Sequence, residues 1–156
     1  MTTIAYKHNI LAADTAMATG GGIVGSYEKI FRNKKGDLAG ATGNLDFCSK
    51  FKDWFLRGEK GKPPSAIVPG KPDETDKAFI IRHKPRCILH YEGTQFSEIE
   101  TGPYAVGSGA PEARGAMFAG ATAIEAVTAA IALDTATGGD ITVLGHTGFP
   151  RRIKVK

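Results

Sequence analysis

Met1-Thr2-Thr3-Ile4-Ala5-Tyr6-Lys7-His8-Asn9-Ile10-Leu11-Ala12-Ala13-Asp14 opens the chain, and its two apolar runs separated by His8-Asn9 predict a β-hairpin with strands Thr3 to Lys7 and Ile10 to Asp14. The same stretch offers a chemical opportunity at its start. Removing Met1 would leave Thr2 with an α-amino group and a hydroxyl on one residue, a nucleophile beside its own base. Such an amine titrates near about pH 8, so a useful fraction is free at neutral pH to take a proton, directly or through one water. Many proteins begin Met-Thr, and the motif gains force only from what the remaining residues supply.

Working outward, Gly20-Gly21-Gly22 breaks the chain before a strand expected around Tyr27 to Asn33, and Lys34-Lys35-Gly36-Asp37 turns it into Leu38-Ala39-Gly40. From about Thr42 to Arg57, Leu45, Cys48, Phe51, Trp54 and Phe55 recur at three- and four-residue steps, which predicts an amphipathic helix. Gly58 to Pro72 reads as a surface loop rich in proline and glycine. Strands follow at Ala78 to Ile81 and Cys87 to Tyr91, joined around Lys84-Pro85, with a short one at Tyr104-Ala105-Val106. Helices are expected at about Pro111 to Gly120 and Ala123 to Thr135, and a last pair of strands from Ile141 and Arg151. This order suits an α+β fold, a four-layer αββα sandwich in which two sheets pack together under helices on both outer faces.

The 156 residues suffice for one domain with a real core, and 42 % hydrophobic against 23 % charged residues is a globular balance. No apolar run reaches the length of a membrane span. Cys48 and Cys87 have no CxxC or metal-ligand spacing, no signal peptide precedes them, and a reduced cytoplasmic setting with free thiols is expected. His8, His83, His90 and His146 show no helical metal-ligand pair, so neither a metal nor another cofactor is expected. The net charge of +4 concentrates only at Arg151, Arg152, Lys154 and Lys156, which alternate with Ile153 and Val155 as on a strand with one solvated face. Without aromatic interleaving there, a nucleic-acid role is the weakest reading.

Three further features could carry chemistry. Asp14 ends a buried strand, is expected at a sheet edge, and needs a cation nearby; Lys29 stands fifteen residues on. A buried lysine held by an aspartate favours deprotonation of a neighbouring amine and hydroxyl, although a strand lysine is more often a solvated charge. Leu38 to Gly43 precedes the long helix, where free backbone N–H groups can stabilise an oxyanion; an ordinary turn with Thr42 as helix cap is the plainer alternative. Gly107-Ser108-Gly109 is a weak GxG without the context of a dinucleotide site, and its glycines more plainly let the backbone pass close to something.

Taken in order, Thr2-Thr3-Ile4, Leu11-Ala12-Ala13-Asp14, Lys29-Ile30-Phe31, Ala39-Gly40, Tyr104-Ala105-Val106-Gly107-Ser108-Gly109 and Asp134-Thr135-Ala136-Thr137-Gly138-Gly139-Asp140 resemble proteasome β-type subunits and the HslV-like bacterial peptidases over nearly the whole chain. The resemblance implies the N-terminal nucleophile hydrolase fold and a threonine-type endopeptidase. It implies Thr2 as nucleophile, Lys29 held by Asp14 as the group that tunes its acidity, and the Gly40 N–H in the oxyanion hole. Ser108, Asp134 and Thr137 would orient the α-amino group and a bridging water, Thr137 standing where the family has serine. Met17, Tyr27, Leu38 and Thr42 would border the primary specificity pocket. The implied partners are unfolded polypeptide substrates, further copies of the chain in a homo-oligomeric ring, and an ATP-dependent unfoldase as a candidate. With no propeptide, exposure of Thr2 would fall to methionine aminopeptidase. A silent ring or scaffold subunit, and an amidohydrolase acting on a small amide, are the competing readings. The segment Gly58 to Pro72 departs from the family at the end of the first long helix.

Overall fold

The structure, a computed structural model, describes residues 2–100 and 102–155. It opens with β1 (Thr3–Lys7) and β2 (Ile10–Asp14), joined as expected by His8 and Asn9, both at positive φ (49° and 67°), the geometry of a tight hairpin turn. Next come β3 (Ala16–Thr19), β4 (Gly22–Ser26), β5 (Ile30–Arg32) and β6 (Leu38–Thr42), then α1 (Leu45–Leu56). After α1 lie β7 (Ile67–Val68), β8 (Lys71–Thr75), β9 (Lys77–Arg82), β10 (Cys87–Glu92) and β11 (Gln95–Ile99). The chain closes with β12 (Tyr104–Gly107), α2 (Ala110–Phe118), α3 (Ala123–Leu133), β13 (Ile141–Gly145) and β14 (Arg151–Ile153). The class is α+β, and no described helix is long and apolar enough to cross a membrane.

Two compact units divide the chain, Met1–Ile30 with Gly102–Lys156, and Phe31–Thr101. In the first, the sheet order is β12-β1-β2-β13-β14, with every neighbouring pair antiparallel. Helices α2 and α3 cover one face through Ala5, Ala12, Ala113, Ala126, Val127, Ile141 and Val143. Alanine dominates because small side chains let helix backbones approach a sheet closely without voids. The other face carries Ile4, Leu11 and Ala13, also fully buried. Helix α3 starts on a capping box in which Thr122 accepts from the Glu125 N–H at 3.1 Å and Glu125 accepts from the Thr122 N–H at 2.9 Å.

The second unit has the order β11-β10-β9-β6-β5 under α1. Its helix-side core is aromatic, with Phe47, Phe51, Phe55 and Tyr91 packed on Ala39, Ala41, Ala78 and Ile80. The buried helix face runs through Phe47 rather than Leu45, which is 48 % exposed. Asn44, not Thr42, caps α1, its Oδ1 accepting from the Asp46 N–H at 2.8 Å; Thr42 is still in β6, because Gly43 at φ 109° makes the break one residue later.

Gly58 to Pro72 differs from the unstructured loop expected. Pro69-Gly70, with Gly70 at φ 77°, turns β7 back on β8, and hydrogen bonds from Trp54 Nε1 to the Gly61 carbonyl and from Tyr91 Oη to the Pro64 carbonyl hold the segment. Arg82 grips Glu59 through two N–H···O bonds of 2.6 and 2.7 Å and reaches Asp37 at 3.2 Å. Burial pushes the Asp37 carboxyl up, but the His83 N–H, Asn33 and Arg82 outweigh it and hold the group below its ordinary value. A depressed folded value means that Asp37 stabilises fully above the ordinary carboxylate value and that this contribution is lost as pH falls through the folded one. Urea midpoints of wild type and Asp37→Asn should therefore differ at pH 7, and the gap should shrink at pH 3.

Candidate active site

The strand expected around Tyr27 to Asn33 forms only at Ile30–Arg32, and Gly22–Ser26 instead pairs with β3 in a separate hairpin. The three residues between are irregular, and this release from a ladder turns the Lys29 side chain inward. Its Nζ donates to Asp14 Oδ1 at 2.9 Å with neither side chain exposed, and lies 5.3 Å from the Tyr27 ring centre. Asp14 sits at the end of β2, the middle strand of its sheet rather than an edge. Its Oδ1 also accepts from the Thr3 N–H at 2.9 Å and its Oδ2 from the Gly138 N–H at 3.0 Å. A buried carboxylate is tolerated here because a cation and two backbone donors replace its water.

Thr2 precedes β1 and is 3 % exposed. Its N–H donates to Ser108 Oγ at 3.3 Å, and its carbonyl accepts from the Gly109 N–H at 3.4 Å. Ser108 Oγ in turn donates to Asp134 Oδ2 at 2.7 Å, and Thr137 Oγ1 donates to the same oxygen at 2.5 Å. Burial pushes the Asp134 carboxyl up, but bonds from Thr137, Ser108 and the Ala136 N–H outweigh it and hold the group below its ordinary value. The group is an anion at neutral pH, fixed two hydrogen bonds from the Thr2 nitrogen.

Glycine makes this approach feasible. Gly107 pairs with Thr3 at φ 103°, and a Cβ there would run into the Thr2 carbonyl; one on Gly109 would meet Thr3 Oγ1 and the Ala130 side chain. Gly107→Ala should cost more than about 1 kcal/mol in urea unfolding, since the new side chain is both strained and obstructed by backbone.

Thr2, Asp14, Lys29, Ser108, Asp134 and Thr137 thus share one hydrogen-bonded network in the first unit. Thr3 belongs to it as well, through its N–H and through an Oγ1 that lies 2.8 Å from Thr137 Oγ1; nothing in the sequence alone gives it a role beyond opening the first strand. Met17 on β3 and Tyr27 are half-buried in the same unit. Leu38, Gly40 and Thr42 belong to the second unit, at alternate positions of β6 and so on one face of it, away from the helix-side Ala39 and Ala41. Leu38 and Thr42 are buried, and Gly40 pairs with Phe79. The expected loss of Met1 falls outside the described residues. Among those residues, no group of three His, Cys, Asp or Glu could hold a metal ion.

No family model and no curated protein matches the chain. Among solved structures, Thiobacillus denitrificans BPH in complex with epoxomicin aligns with 94 % of this chain and 99 % of its own at TM-score 0.64 and 23 % identity. A further structure of Thiobacillus denitrificans BPH aligns with 95 % of this chain and 99 % of its own at TM-score 0.65 and 22 % identity. Likeness at this identity is likeness of fold.

Proposed function

We propose that this chain is a threonine-type endopeptidase of the N-terminal nucleophile hydrolase class, with Thr2 as nucleophile once Met1 is removed. The observation that carries the reading is the network at Thr2: a buried Lys29–Asp14 ion pair on one side and the Ser108–Asp134–Thr137 relay on the Thr2 nitrogen. A fold shared with a protein that binds epoxomicin, a proteasome inhibitor, supports it. The four-layer αββα order belongs to the same proposal, each unit supplying a helix-covered sheet whose other face is also apolar.

In this reading the Thr2 amine takes the hydroxyl proton, directly or through water, as Oγ1 attacks a peptide carbonyl. By the resemblance, the Gly40 N–H is the proposed donor to the oxyanion; the leaving amine departs protonated, and water hydrolyses the ester to return Thr2. The Lys29 ammonium favours the alkoxide-like oxygen. By the resemblance, Met17, Tyr27, Leu38 and Thr42 are the proposed specificity residues, which would favour apolar or small side chains. Unfolded polypeptides are the proposed substrates, a homo-oligomeric ring the proposed assembly, and an ATP-dependent unfoldase a candidate partner.

The test is hydrolysis of unfolded casein and of short amides by chain whose Met1 is shown by mass to be absent, with assembly size measured by sedimentation. Cleavage of casein to short peptides by a large assembly is the expected result. Hydrolysis of small amides alone by a monomer or dimer would favour the amidohydrolase, and no hydrolysis by Met1-free chain would favour the silent subunit.

A further inference from the structure

Thr3 is fully buried at the junction of the two halves of the network. Each hydroxyl there has one proton to give, and the distances decide where it goes. Thr137 spends its proton on Asp134 at 2.5 Å, a bond strengthened by the carboxylate charge. In the 2.8 Å Thr3–Thr137 contact, Thr3 is therefore the donor and Thr137 the acceptor. Ser108 likewise spends its proton on Asp134 at 2.7 Å rather than on the Thr2 carbonyl at 3.4 Å, which leaves its oxygen as acceptor for the Thr2 N–H. Both arms point their protons toward one carboxylate.

We infer that Thr3 is a positioning residue for the chemistry proposed at Thr2: by donating to Thr137 it strengthens the Thr137–Asp134 bond and so holds Asp134 as the anion that takes the Ser108 proton, leaving Ser108 to accept from the Thr2 nitrogen. The inference rests on the peptidase reading. An amine that donates to Ser108 keeps its lone pair for the hydroxyl proton, whereas a Ser108 hydroxyl turned toward it would occupy that lone pair. Through its N–H on Asp14, Thr3 also ties the relay to the residue that holds Lys29.

Thr3→Val removes the donor at nearly constant volume, and Thr3→Ser restores it. In Met1-free protein, Thr3→Val should lower kcat for peptide hydrolysis about tenfold with KM within about twofold, and Thr3→Ser should keep the wild-type kcat. In a carboxyl-carbon NMR titration, Asp134 should move upward in Thr3→Val and stay in place in Thr3→Ser. Thr3→Ala replaces the valine variant if the second methyl prevents folding. Wild-type kcat and an unmoved Asp134 in the donor-free variant would overturn the inference, as would equal impairment of Thr3→Ser, which would mean packing. If wild type itself has no Thr2-dependent activity, the peptidase reading fails and takes the catalytic consequence with it. The Asp134 titration then decides the proton order alone: movement only in the donor-free variant supports it, and no movement overturns it.

Discussion

Lys29→Met should destabilise the protein by about 3–5 kcal/mol, the usual cost of removing one partner from a buried ion pair. Both side chains are fully buried, so water cannot take the place of the ammonium beside Asp14. The carboxylate would retain the Thr3 and Gly138 N–H donors, which offset part of its lost hydration without supplying charge. Asp14→Asn combined with Lys29→Met removes both charges and should be less damaging than the sum of the single changes. Urea unfolding of the four proteins measures this coupling. Under the proposed mechanism, peptide hydrolysis should be lost in every variant lacking Lys29, including those that stay folded, because the alkoxide would then form without its cation.

Thr2→Ala should abolish hydrolysis, lowering the rate by at least about a thousandfold, since the proposed nucleophile and not an accessory group is lost. The fold should survive. Thr2 is anchored through main-chain bonds to Ser108 and Gly109, which alanine makes equally well. Thr2→Ser keeps a hydroxyl on the same carbon and should retain activity, so the pair separates nucleophile from scaffold. Fluorogenic peptide turnover with matched urea midpoints checks both claims.

Local patterns were the legible part of this fold. The first hairpin follows from two apolar runs on either side of His8-Asn9, and α2 and α3 form close to the expected Pro111 to Gly120 and Ala123 to Thr135. Elements whose existence depends on a partner were not. Strand β11, Gln95–Ile99, is mostly exposed and polar, and is a strand because it pairs with β10; the β7–β8 ribbon had only the Pro69-Gly70 turn as its signal. In the site, the order of motifs pointed to Asp14, Lys29, Ser108, Asp134 and Thr137 by resemblance. The Thr3–Thr137 contact joins residues 134 positions apart, and no local pattern announces it.

The central claim is that Thr2 is a nucleophile, and intact mass before and after epoxomicin tests it most directly, with Thr2→Ala alongside. The account predicts loss of Met1 and a single covalent adduct on wild type that is absent from Thr2→Ala. Complete loss of Met1 with no adduct, or an adduct of equal yield on Thr2→Ala, would contradict it.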